Sequence, residues 1–71
     1  METPLFIKED FIKLDSAMKL AGVCATGGHA KTVIQNGEVS VNGEICCQRG
    51  KKLKNGDFFC FENRKFIIQC G

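Results

Sequence analysis

The stretch HAKTVIQNGEVSVNG, residues 29–43, changes its repeat halfway along. Ala30, Val33 and Ile34 recur at helical spacing, whereas Val39 and Val41 alternate as they would in a strand. Between them Asn36-Gly37 supplies a left-handed residue able to end a helix, and Asn42-Gly43 marks a second reversal of the chain. The span therefore predicts a helix, a stop, a strand and a turn. Thr26 is a candidate N-cap for that helix, followed by Gly27 and Gly28 and a run to about Gln35. With Ala30, Val33 and Ile34 buried, Gly28, Lys31, Thr32 and Gln35 point the opposite way, and Lys31 and Gln35 are neighbours on the exposed face. A strict two-residue loop at Asn42-Gly43 would put Glu44 beside Val41 on the buried face, so a longer loop or a bulge pairing Val41 with Ile45 is expected.

Towards the N-terminus, Asp15 is a candidate N-cap of a first helix of about two turns, whose carboxylate would accept free amide hydrogens. Leu14, Ala17, Met18 and Ala21 form its apolar stripe and Gly22 closes it. Both helices are too short to persist alone in water and must pack together. Before them, PLFIK (residues 4–8) reads as a short strand with Leu5 and Ile7 on one face and Phe6 and Lys8 on the other. Towards the C-terminus, Arg49, Lys51, Lys52 and Lys54 form a basic run without an acid, ending at an Asn55-Gly56-Asp57 turn. FFCFE and KFIIQC then suggest a hairpin around Asn63-Arg64, in which Phe59 faces Ile68, Phe61 faces Phe66 and Glu62 faces Lys65. The arrangement predicted is a segregated α+β domain, a helix pair followed by a small antiparallel sheet.

A chain of 71 residues has room for one core, and residues 1–71 are expected to form a single domain. Most of its apolar side chains should be needed for packing, which leaves few positions for catalytic machinery. The first residues lack a long apolar run and carry acids early, so neither a secretory signal nor a membrane span is expected, and the cytoplasm is the expected location. The five cysteines, Cys24, Cys46, Cys47, Cys60 and Cys70, are an odd number, which suits reduced thiols better than a disulfide scaffold. The net charge of +2 decides little, but its concentration in residues 49–54 makes a local basic patch on a nearly neutral body.

Three kinds of chemistry can be weighed against this pattern. Gly22 and Gly27 have the spacing that begins a phosphate-binding loop, yet Gly28-His29-Ala30 replaces the Gly-Lys-Ser/Thr that would reach phosphate and magnesium. The cysteines contain no Cys-x-x-Cys pair, so a zinc site or a redox centre is the weaker reading beside small buried hydrophobes. His29 is the one histidine and no spacing implies a catalytic partner, so it reads as a flank residue able to donate a hydrogen bond rather than as a general base. What remains is a phosphate track: exposed amides at a helix start, glycines that let a backbone approach, the Lys31 and Gln35 face, Asn42, and the basic run.

In their order, KLDSAMKLAGV, TGGHAKTVIQNGEVSVNGE and RGKKLKNGD resemble the S4-type RNA-binding domain, over about Lys13 to Phe58, and especially the short bacterial proteins that consist of little else. The resemblance implies an S4-like (alpha-L motif) fold of two or three short helices on a small twisted antiparallel sheet, with a groove for structured RNA. Carried onto this chain, it implies RNA-facing roles for Lys13, Thr26, Gly27, Gly28, His29 and Lys31, and for Asn42, Arg49, Lys51 and Lys52 on the strand and loop side. Gln35 and Lys54 join them from the face and charge arguments above. Many family members have Ser-Arg where this chain has Gly27-Gly28, a departure that removes a cation from the centre of that surface.

The expectation is a monomeric, non-enzymatic protein without cofactor or metal that binds structured RNA, ribosomal or transfer RNA, through phosphates and shape, in association with ribosome or RNA-processing proteins. Folded RNA is preferred because Trp and Tyr are absent and the Phe pattern is accounted for by packing, which leaves few stacking aromatics. Two rival readings are a protein-interaction module docking to a ribosomal or RNA-processing partner and a cysteine-based redox or metal module.

Overall fold

Neither helix could hold its shape alone, and each closes its apolar stripe on the other and on strands drawn from both ends of the chain. The computed structural model describes residues 2–70. In chain order the elements are β1 (Glu2–Ile7), β2 (Phe11–Lys13), α1 (Leu14–Leu20), α2 (Gly27–Gln35), β3 (Val39–Val41), β4 (Glu44–Ile45), β5 (Lys52–Lys54), β6 (Phe58–Phe61) and β7 (Arg64–Cys70). Five strands form one sheet in the order β1-β7-β6-β3-β4, and β2 pairs with β5 in a separate antiparallel ribbon.

This is the α+β arrangement expected, with two helices among the described residues. The sheet, however, is mixed rather than wholly antiparallel, because β1 runs parallel to β7 with Leu5 opposite Ile68. Alternation within PLFIK identifies the buried face, and Leu5 and Ile7 do lie in the core while Phe6 points out. Alternation cannot identify the partner strand.

The core joins Leu14, Ala17 and Met18 of α1 and Ala30, Val33 and Ile34 of α2 to Val39, Leu53, Phe59, Phe66 and Ile68 from the strands. Phe59 and Phe66 stack with their ring centroids 5.0 Å apart. Thr26 caps α2 as expected, its hydroxyl accepting from the His29 amide at 3.2 Å. Gly37, with φ of 76°, takes the left-handed position beyond the helix.

Three local expectations are corrected. Asp15 does not cap α1: the N-cap is Lys13, without a side-chain bond, and the Asp15 carboxylate instead accepts from the adjacent Ser16 amide. The amides of Leu14 and Asp15 donate to the Lys51 and Arg49 carbonyls, so main chain does the work expected of a side chain. Asn42-Gly43 makes the strict two-residue turn, with Val41 opposite Glu44 and Ser40 opposite Ile45. Both turn residues have positive φ, which suits Asn-Gly, and Glu44 escapes burial because β4 is a two-residue edge strand and both its residues are exposed.

The last hairpin turns at Glu62-Asn63, not Asn63-Arg64, so Phe59 faces Phe66, Phe61 faces Arg64 and Cys60 faces Lys65. Glu62 and Asn63 have φ of 53° and 63°, a region that Asn63 tolerates, and Arg64 is freed from the turn to pair with Phe61 as the first residue of β7. The shift is by two positions and leaves every side chain on its expected face. It also brings the Arg64 guanidinium over the Phe66 ring at 5.1 Å.

Candidate nucleic-acid interface

The basic run is not simply a loop. Its centre is β5, where Leu53 is fully buried and, with a period of two, sends Lys52 and Lys54 outward. Across the ribbon Lys13 stands directly opposite Lys52, and Phe11 opposite Lys54. Like charges at directly paired positions oppose folding, so this pairing gives up stability to concentrate positive charge. The Lys52 ammonium lies 4.9 Å from the centre of the Phe11 ring, a contact that holds the long side chain over the ribbon. Lys54 is fixed through its backbone, whose amide donates to the Asp57 carboxylate at 2.8 Å.

The preceding loop is held by the first helix. The Leu14 amide donates to the Lys51 carbonyl at 2.9 Å and the Asp15 amide to the Arg49 carbonyl at 3.1 Å. Arg49 and Lys51 are thereby gathered beside Lys13 and Lys52 with their side chains exposed. The structure therefore brings together Lys13, Arg49, Lys51 and Lys52, and carries Lys54 along the same strand.

The α2 residues form a second surface. His29, Lys31 and Gln35 are exposed, and the Thr32 hydroxyl donates to the Gly28 carbonyl. Gly27 opens the helix. A Cβ built at Gly28 would meet nothing nearer than the Thr26 hydroxyl at 3.9 Å, so the space above this turn is open to an approaching backbone or phosphate. α2 packs against α1, and α1 is bonded to the basic loop, so the helix pair holds both surfaces.

Asn42 has a different environment from the one expected. Its side-chain oxygen accepts from the Phe58 amide at 3.1 Å and its nitrogen donates to Asp57 at 3.3 Å, which ties the β3–β4 turn to the start of β6. The residue is exposed and lines an open groove with Gln48 and Lys51, but its amide is engaged at both ends within the protein. Replacing it with glycine keeps the permitted positive φ and removes both bonds. Asn42→Gly is expected to lower the unfolding free energy by about 1–2 kcal/mol, measured by urea denaturation. Phe11 and Asp57 hold Lys52 and Lys54 in the candidate interface, and spacing alone did not single them out for this.

The cysteines do not assemble into a site. All five are unpaired, and among the described residues no group of three or more His, Cys, Asp or Glu comes together. Burial, and to a lesser degree the Glu62 carboxylate, pushes the Cys24 thiol above its ordinary range, which disfavours the reactive thiolate. Among the described residues no helix is long and apolar enough to cross a membrane.

Comparison with known proteins places these features in context. Residues 5–69 match the family described as the S4 domain. Over 57 residues the chain is 42% identical to a Bacillus subtilis (strain 168) protein described as "Probable ribosome maturation protein RlbA", the match covering 80% of this chain and 80% of that relative.

Proposed function

The chain belongs to the S4 domain family, and from that premise we propose that it is a non-enzymatic cytoplasmic protein that binds structured RNA, ribosomal or transfer RNA, during ribosome maturation. The observation that carries the proposal is the opposition of Lys13 and Lys52 across the ribbon. A surface that only needed to be soluble would do better with one of them neutral or acidic. Phosphate relieves the repulsion, because bound anions neutralise both cations and release their own counterions. Arg49 and Lys51 extend the track, and the open turn at Gly28 offers a second approach to the RNA backbone. Recognition of this kind reads phosphates and shape rather than base edges. The relative's description as a ribosome maturation protein supports ribosomal RNA as the first target to examine.

The test is ultraviolet crosslinking in cells followed by sequencing of bound RNA. The natural protein is compared with a folded variant carrying glutamine at Lys31, Arg49, Lys51 and Lys52, which samples both surfaces. Enrichment of a defined ribosomal or transfer RNA region, lost in the variant, is the expected result. Equal recovery by the two proteins would remove the cations from any role in RNA choice, and no enrichment by either would overturn the reading.

A further inference from the structure

Phe6 projects from β1 away from the core with 72% of its surface exposed, and Leu20 of α1 is 53% exposed. The expectation that packing accounts for the phenylalanines fails at Phe6. With Phe11 and Ile12, these side chains wall an open groove that continues past Ser16 to Lys13. Ser16 and Leu20, four residues apart, share one side of α1, and Lys13, the N-cap residue just before that helix, lines the same groove. The groove thus joins an apolar section to a cation that also belongs to the basic ribbon.

We propose that this groove binds an unpaired nucleotide of the RNA, with the base stacked on Phe6 against Leu20 and a neighbouring phosphate held by Lys13. The inference rests on the RNA-binding reading above and adds a single-stranded element to its ligand. Its first support is continuity, since Lys13 lines this groove and also stands opposite Lys52 in the cation cluster. Its second is charge: Lys8 and Glu9 in the same wall offset each other, leaving Lys13 as the uncompensated charge. A nucleotide uses both sections, because every base has a π face and every linkage a phosphate. An apolar peptide added to the outer edge of β1 would gain nothing from Lys13.

The test uses two fluorescently labelled RNA probes, a blunt hairpin and the same hairpin with a single-stranded adenosine tail. For the natural protein the tail is expected to tighten binding about tenfold or more, the contribution of one stacked base. Phe6→Ala is expected to erase that increment while leaving blunt-hairpin affinity unchanged, and Phe6→Trp to retain it. Phe6 lies outside the core, so each variant is expected to fold, and circular dichroism is the check. If the blunt hairpin binds but the tail adds nothing, or if Phe6→Ala keeps the increment, the stacking site is overturned alone and the β1 edge becomes a candidate surface for a protein. If neither probe binds the natural protein, the RNA-binding reading fails and the stacking site falls with it.

Discussion

A variant with Lys13, Arg49, Lys51 and Lys52 all replaced by glutamine is expected to lose nearly all of the salt dependence of RNA binding. If the cluster neutralises about four phosphates, affinity should follow salt with a log-log slope of roughly −3, so that raising salt from about 50 to about 200 mM weakens the natural protein roughly 60-fold. The variant should show a nearly flat line over the same range and bind weakly at its start. Anisotropy titrations against total transfer RNA, repeated across a salt series, measure both slopes. A natural protein indifferent to salt would remove the electrostatic basis of the proposal. The fold should survive these substitutions because Arg49 and Lys51 hold α1 through carbonyl oxygens, which glutamine also possesses. Loss of the Lys52 contact with Phe11 costs about 0.5–1 kcal/mol, offset in part by relief of the Lys13–Lys52 repulsion.

The largest effect on stability is expected from Phe59→Ala. Phe59 is fully buried in β6, opposite Val41 of β3 on one side and Phe66 of β7 on the other, and it stacks on the latter. Truncating such a ring costs about 3–5 kcal/mol, through lost burial and a cavity its neighbours cannot fill. A domain of this size has a net stability of only about 3–5 kcal/mol, so the variant should be largely unfolded at room temperature. Far-ultraviolet circular dichroism during urea titration would reveal this as a missing native baseline. A cooperative transition within about 1 kcal/mol of the natural protein's would contradict the assignment of Phe59 to the centre of the core.

The features legible in the sequence were those fixed by neighbouring residues. The α2 face, the Thr26 cap, the Gly37 stop and the inward Val39 and Val41 follow from spacing and backbone geometry, and each is present as read. Pairings between distant segments were less legible. The pairing register of the last hairpin was read two residues off because a pattern of period two looks the same after such a slip, and positive φ at Glu62 and Asn63 marks where the turn lies. At Asn42-Gly43 the apparent conflict over Glu44 assumed a fully covered sheet, whereas β4 lies at an edge. For the candidate site, the exposed helix face and basic run could be seen in the sequence. The engagement of Asn42 within the protein, the opposition of Lys13 to Lys52 and the exposure of Phe6 could not, because each depends on what lies across a strand or beyond it.

The parallel pairing of β1 with β7 has a consequence for biosynthesis. β1 is an edge strand whose sheet neighbour is β7, so a segment made before both helices must wait for one made after them. Chains are made from the N-terminus and domains generally fold as units. Here the helix pair can assemble early, but the sheet cannot close until Arg64–Cys70 has emerged. Until then Leu5 and Ile7 lack the strand that seats them in the core. The growing chain therefore carries these apolar side chains without their partner strand while every intervening element is made, and closure of the sheet comes only after β7.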